Sequence, residues 1–125
     1  MIARIVPQFF CTDLNQTLAY YEDSLGFTTQ FRYGEPAYYA GAIRDEQSIF
    51  FRQVEKAMDL PSDKYAEEFL DAYILVKDVD RLFEEYASRA LYFHRRLDSM
   101  PWGFREFVIK DCDERLLCFG EFSGD

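Results

Sequence analysis

The chain has 125 residues, 14 of them basic and 23 acidic, for a formal net charge of −9 and a pI near 4.6. A field of that sign repels phosphate backbones, which excludes nucleic acid as a partner. No apolar run approaches the ~20 residues of a membrane-spanning helix, no signal-peptide pattern opens the chain, and Cys11, Cys112 and Cys118 lack CxxC spacing, so reduced thiols and a cytoplasmic location are expected.

In chain order, residues 2–11 read as a first strand, lying near an edge or bulge at Pro7, which has no amide to donate. Asp13 is a suitable N-cap, and Gln16 three residues on completes a capping-box pattern. Leu14, Leu18, Tyr21 and Leu25 then repeat at spacings of four, three and four, which marks one apolar helix face, and Gly26 stops the helix. Strands are predicted at 27–33, 37–43 and 48–53, separated by Gly34-Glu35-Pro36 and by Arg44-Asp45-Glu46-Gln47. Residues 55–68 are polar and read as a linker, with Pro61 placed to begin a short helical turn.

The order then repeats. Residues 71–76 form a predicted strand, and Asp78 caps a helix whose Val79, Leu82, Phe83, Tyr86 and Ala90 face inward. Strands follow near 91–97, 104–110 and 115–121, with Asp98–Gly103 as the loop between the first two. Asp13 and Asp78, Leu18 and Phe83, Tyr21 and Tyr86 are each 65 residues apart. The chain is therefore predicted to be one α+β domain built from two copies of a strand–helix–three-strand module, about 1–54 and 69–125. At 49% hydrophobic and 18% aromatic, it carries more rings than a core this size needs, so some should line a cavity or interface.

The segments Asp13–Phe27 (DLNQTLAYYEDSLGF) and Pro101–Glu121 (PWGFREFVIKDCDERLLCFGE) resemble the vicinal-oxygen-chelate superfamily of glyoxalase I, extradiol dioxygenases and bleomycin-resistance proteins. Pro101-Trp102-Gly103, Arg105-Glu106-Phe107 and Asp111 resemble the bleomycin-resistance branch most. The resemblance implies paired βαβββ modules forming a curved mixed sheet around a cavity, in a homodimer. A duplicated half-barrel also leaves strand edges that need cover.

Enzymes of the superfamily bind a divalent metal with His and Glu from equivalent strands. The resemblance puts those positions at Val6, Phe51, Asp71 and Cys118. Val6 and Phe51 have no donor, and Asp71 with Cys118 makes a mismatched pair, so no metal and no cofactor are expected. His94, the only histidine, stands outside this set. Asp111 and Asp113 read as turn formers, and no phosphate loop or nucleophile elbow is present.

In the bleomycin-resistance branch, acidic dimers hold a cationic glycopeptide on aromatic side chains. The corresponding positions are Phe31, Tyr39, Tyr73 and Trp102, and strand alternation adds Phe51 to the candidate wall. Arg52 departs from the pattern, because a cation there disfavours a cationic ligand. The expected function is a metal-free protein that sequesters an aromatic, cationic small molecule such as a bleomycin-type antibiotic. The alternatives are a divergent metal-dependent glyoxalase- or dioxygenase-type enzyme that uses Asp71 and Cys118, and a scaffold with a filled core.

Overall fold

A computed structural model describes residues 1–124, which divide into two compact units, residues 1–59 and residues 60 onward. The first unit holds β1 (Gln8–Cys11), α1 (Leu14–Asp23), β2 (Thr28–Gly34), β3 (Ala37–Arg44) and β4 (Gln47–Gln53). The second holds β5 (Ala72–Leu75), α2 (Val79–Ala87), β6 (Phe93–Ser99), β7 (Phe104–Lys110) and β8 (Leu116–Phe122). Each is thus a βαβββ module with a four-stranded mixed sheet, in the orders β1-β4-β3-β2 and β5-β8-β7-β6. In both, the first strand runs parallel to the last, and the other pairings are antiparallel. Among the described residues, no helix is long and apolar enough to cross a membrane.

In the first unit the helix signals act as expected. The Asp13 side chain accepts from the Gln16 amide at 3.1 Å, and the backbone leaves α1 at Ser24. Leu14, Leu18, Tyr21 and Leu25 are all buried, and Tyr21 meets Phe51 of the sheet at 4.9 Å between ring centroids. Gly26 takes the positive φ (78°) that turns the chain into β2. Asp13→Ala should lower stability by about 1 kcal/mol, read as an earlier denaturant midpoint with an unchanged slope.

The first strand is shorter than predicted. Its ladder begins at Gln8, one residue after Pro7, whose carbonyl accepts from the Phe50 amide at 3.0 Å but which has no N–H to donate. In the second unit, α2 is capped by Asp78 in a left-handed conformation (φ 60°), and Val79 and Tyr86 are its buried residues. Leu82 and Phe83 are half-buried, whereas Ala90 is exposed and lies past the helix end at φ 56°, so the inward face stops a turn earlier than predicted.

The two copies cap their helices in one further way. Gln53 at the end of β4 accepts from the Leu14 amide at 2.8 Å. Glu121 near the end of β8 accepts from the amides of Asp78 and Val79, both at 3.0 Å. Each last strand therefore supplies an acceptor to orphan amides of its own helix N-terminus. For Glu121 these two bonds hold the carboxyl below its ordinary pKa.

Candidate ligand-binding faces

Both sheets bury one face against their helix and leave the other for different chemistry. In the first sheet, Phe9 and Phe51 lie on the α1 side, with ring centroids 6.2 Å apart. The opposite face carries Phe31 on β2, Tyr39 on β3 and Phe50 on β4, all half-buried. Phe31 stacks on Tyr39 at 5.9 Å with 16° between planes, and Phe50 meets Phe31 edge-on at 5.3 Å. Gly41 makes room for this platform: a Cβ there would stand 2.5 Å from the Phe31 ring. The Tyr39 hydroxyl donates to Gln8 on β1, which fixes the ring in its plane. Strand alternation sets Arg52 on the same face as Phe50.

The second sheet repeats the positions with different side chains. Phe107 and Phe119 stack at 5.2 Å on the α2 side, where Tyr86 meets Phe119 at 5.4 Å. On the opposite face, Glu106 of β7 is 2% exposed. Its carboxylate accepts from the Tyr73 hydroxyl at 2.6 Å and from Arg95 Nη2 at 2.8 Å. Arg95 is also bidentate to Glu68, at 2.9 and 3.1 Å, and His94 Nε2 stands 3.6 Å from the same carboxylate. Burial pushes the Glu106 pKa up, but the bonds from Tyr73 and Arg95 outweigh it and hold the carboxyl below its ordinary value. Burial, then the bond to Glu106, raises the Tyr73 phenol, so that group stays a donor.

Residues 64–68 pack on the same face. Tyr65 covers the buried cluster of Val108, Leu116 and Cys118, and its hydroxyl donates to the Glu114 carbonyl at 2.9 Å. Beyond this cover, Tyr73, Leu75, Trp102 and Phe104 line an open hollow of about 370 Å³. Trp102 is 60% exposed and Leu75 70%, so two large apolar groups face solvent there.

The sequence-derived candidates thus separate. Phe31 and Tyr39 share the first sheet's outer face, and Tyr73 and Trp102 share the second's. Phe51 belongs to neither, because it is fully buried against α1. The register explains this. Phe9 pairs with Phe51 and Ile74 with Phe119, so the offset between copies is 65 at the first strand and 68 at the last. The counterpart of Cys118 is therefore Phe50, since Tyr73 pairs with Cys118 as Gln8 does with Phe50. A slip of one residue reverses the face.

The donor set at the positions assigned to metal ligands does not fit a divalent ion. Val6 and Phe51 offer no lone pair. The Asp71 carboxylate accepts from Lys64 Nζ at 2.7 Å and from the Leu116 amide at 2.9 Å. Burial, reinforced by the Glu106 charge, pushes the Cys118 thiol up to about 12, far from the thiolate a metal needs.

A family model described as the Glyoxalase/Bleomycin resistance protein/Dioxygenase superfamily matches residues 2–119. Among solved structures, TioX from Micromonospora sp. ML1 is similar at a TM-score of 0.77 and 17% identity, over 96% of this chain and 98% of that one. A glyoxalase-related enzyme from Clostridium phytofermentans gives 0.76 and 18%, over 98% and 96%. A bleomycin-binding protein from bleomycin-producing Streptomyces verticillus, solved with copper(II)-bleomycin, gives 0.68 and 22%, over the whole of both chains. At these identities the likeness is one of fold. No curated protein matches the chain.

Proposed function

Since the chain belongs to the Glyoxalase/Bleomycin resistance protein/Dioxygenase superfamily, we propose that it is a metal-free binding protein, acting as a homodimer, that sequesters an aromatic, cationic small molecule such as a bleomycin-type antibiotic. The observation that carries this reading is the presence of organised rings at Phe31, Tyr39, Tyr73 and Trp102 on or beside the sheet faces, where no group of metal-donor side chains converges among the described residues. Flat rings with hydrogen-bonded hydroxyls suit a planar ligand, and a net charge of −9 favours a cationic one.

The test is calorimetric titration of the metal-stripped protein with bleomycin at low and moderate salt. Submicromolar affinity at about one ligand per chain, weakened by salt, is the expected result. Silence across several glycopeptides would remove the antibiotic reading. A stoichiometric metal in the purified protein, with turnover that depends on it, would shift the reading to a glyoxalase- or dioxygenase-type enzyme.

A further inference from the structure

The two outer sheet faces are equivalent by register, yet they carry different charged groups. Phe31 pairs with Gly41 as Arg95 pairs with Val108, and Tyr39 pairs with Arg52 as Glu106 pairs with Gly120. The first face is therefore rings with the cation Arg52. The second has a buried carboxylate at the position where the first has Tyr39. Of these equivalent positions, only the second face's hold a carboxylate.

Three details bear on how that face would meet a positive charge. Glu106 accepts a hydrogen bond from a ring that lines the hollow, the Tyr73 hydroxyl at 2.6 Å. Arg95 is shared between two carboxylates, with two bonds to Glu68 and one to Glu106, so one cation faces two anions and negative charge is left over. Gly120 clears the space, since a Cβ there would lie 2.1 Å from the Tyr73 hydroxyl oxygen.

We infer that Glu106 is a positioning residue that makes the Tyr73–Leu75–Trp102–Phe104 hollow selective for planar aromatic cations. It pins the Tyr73 ring by its hydroxyl. It also polarises that ring, because donation of its O–H to an anion deepens the negative ring face that a cation meets. The ligand stacks on the rings without touching Glu106. This inference rests on the reading of the hollow as a ligand site and names the ligand's chemical class there.

The test uses two flat compounds of nearly the same shape, N-methylquinolinium (charged) and quinoline (neutral), titrated at pH 8, where imidazole side chains are ordinarily neutral. Trp102 is the chain's only tryptophan, so its fluorescence reports the hollow directly. The wild type should prefer the cation by about tenfold. Glu106→Gln, which keeps the shape and whose amide oxygen can still accept from Tyr73, should reduce that preference to about twofold. Glu68→Gln removes a charge from the same network without touching the rings, and should leave most of the preference. If Glu106→Gln does not fold, Tyr73→Phe, which removes one ring donor while leaving the Glu106–Arg95 pair, should lower the preference in the same direction.

Equal binding of the two compounds by the wild type, binding of neither, an unchanged preference in Glu106→Gln or Tyr73→Phe, or an equal loss in Glu68→Gln would overturn the inference. Bleomycin binding without cation preference would overturn it while leaving the proposed function standing. Cation preference without bleomycin binding would do the reverse.

Discussion

Arg95→Ala should destabilise the second unit by about 3–5 kcal/mol, among the largest effects of any single substitution there. The side chain is partly exposed, so lost packing is a minor part of the cost. The cost falls on Glu106, which is 2% exposed and would be left as a buried charge without the cation that faces it at 2.8 Å. Glu68 would lose its bidentate partner too, but its side chain is 29% exposed and water can take over. The acid dependence supplies a signature. In the wild type, the depressed Glu106 pKa contributes stability that is present above the ordinary carboxylate value and is lost as pH falls through the lower folded value. Without Arg95 the hydrogen bond and charge that depress the Glu106 pKa are lost while burial still raises it, so the variant keeps less of that stability above the ordinary value. The two stability curves should therefore converge below about pH 4 and separate most near neutrality. Denaturant unfolding at pH 4 and pH 7 measures this, and a gap that is constant with pH would contradict the assignment. Replacing Arg95 and Glu106 together by Met and Leu should recover most of the loss, because no buried charge is then stranded.

Gly120→Ala should cost about 3 kcal/mol, through overpacking and a broken charge-assisted hydrogen bond. The added Cβ would stand 2.1 Å from the Tyr73 hydroxyl oxygen, 2.9 Å from Tyr73 Cζ and 3.1 Å from Glu106 Cβ. Of these neighbours only the Tyr73 ring can move, and moving it breaks the 2.6 Å bond to Glu106. Tyr73→Phe in the same chain removes the atom in the worst clash and should return about half of the loss, a coupling that a double-mutant cycle reads directly. If Gly120→Ala is as costly in the Tyr73→Phe background as in the wild type, the clash is not the cause.

Much of the fold was legible because local rules and tertiary contacts agree. Asp13, the Leu14–Leu18–Tyr21–Leu25 stripe and Gly26 mark the first helix at both ends, and the 65-residue echo at Asp78 places the second. The echo does not extend to the last strand, where the offset has become 68, so the counterpart of Cys118 is Phe50, and Phe51 falls on the α1 side instead of beside Phe31 and Tyr39. Turn lengths are set by surface chemistry and leave little periodic trace. The Glu68–Arg95–Glu106 network was not legible at all. Its members are far apart in the chain and match no motif. The one available signal was Glu106 between Phe104 and Val108, an acid set between two apolar residues of one strand face. Sequence places it on a face, but only the register of β7 on β8 brings it opposite Gly120 and within reach of Tyr73.

The strand orders β1-β4-β3-β2 and β5-β8-β7-β6 impose a schedule on the nascent chain. The hairpins β2–β3 and β3–β4 form between neighbours, at low loop-closure cost. The first strand of each unit is made earliest, yet its ladder partner is the last strand, with Phe9 waiting for Phe51 and Ile74 for Phe119. Until then Phe9 and Tyr21, or Tyr86, have no Phe51 or Phe119 to close the aromatic core against. Each unit is thus sealed by its final strand, and the first can be sealed while the ribosome is still making the second. Truncations inside β4 or β8 should be far more damaging to their unit than equal losses from the loop before them, because they remove the inner strand that joins the first strand to the rest of its sheet.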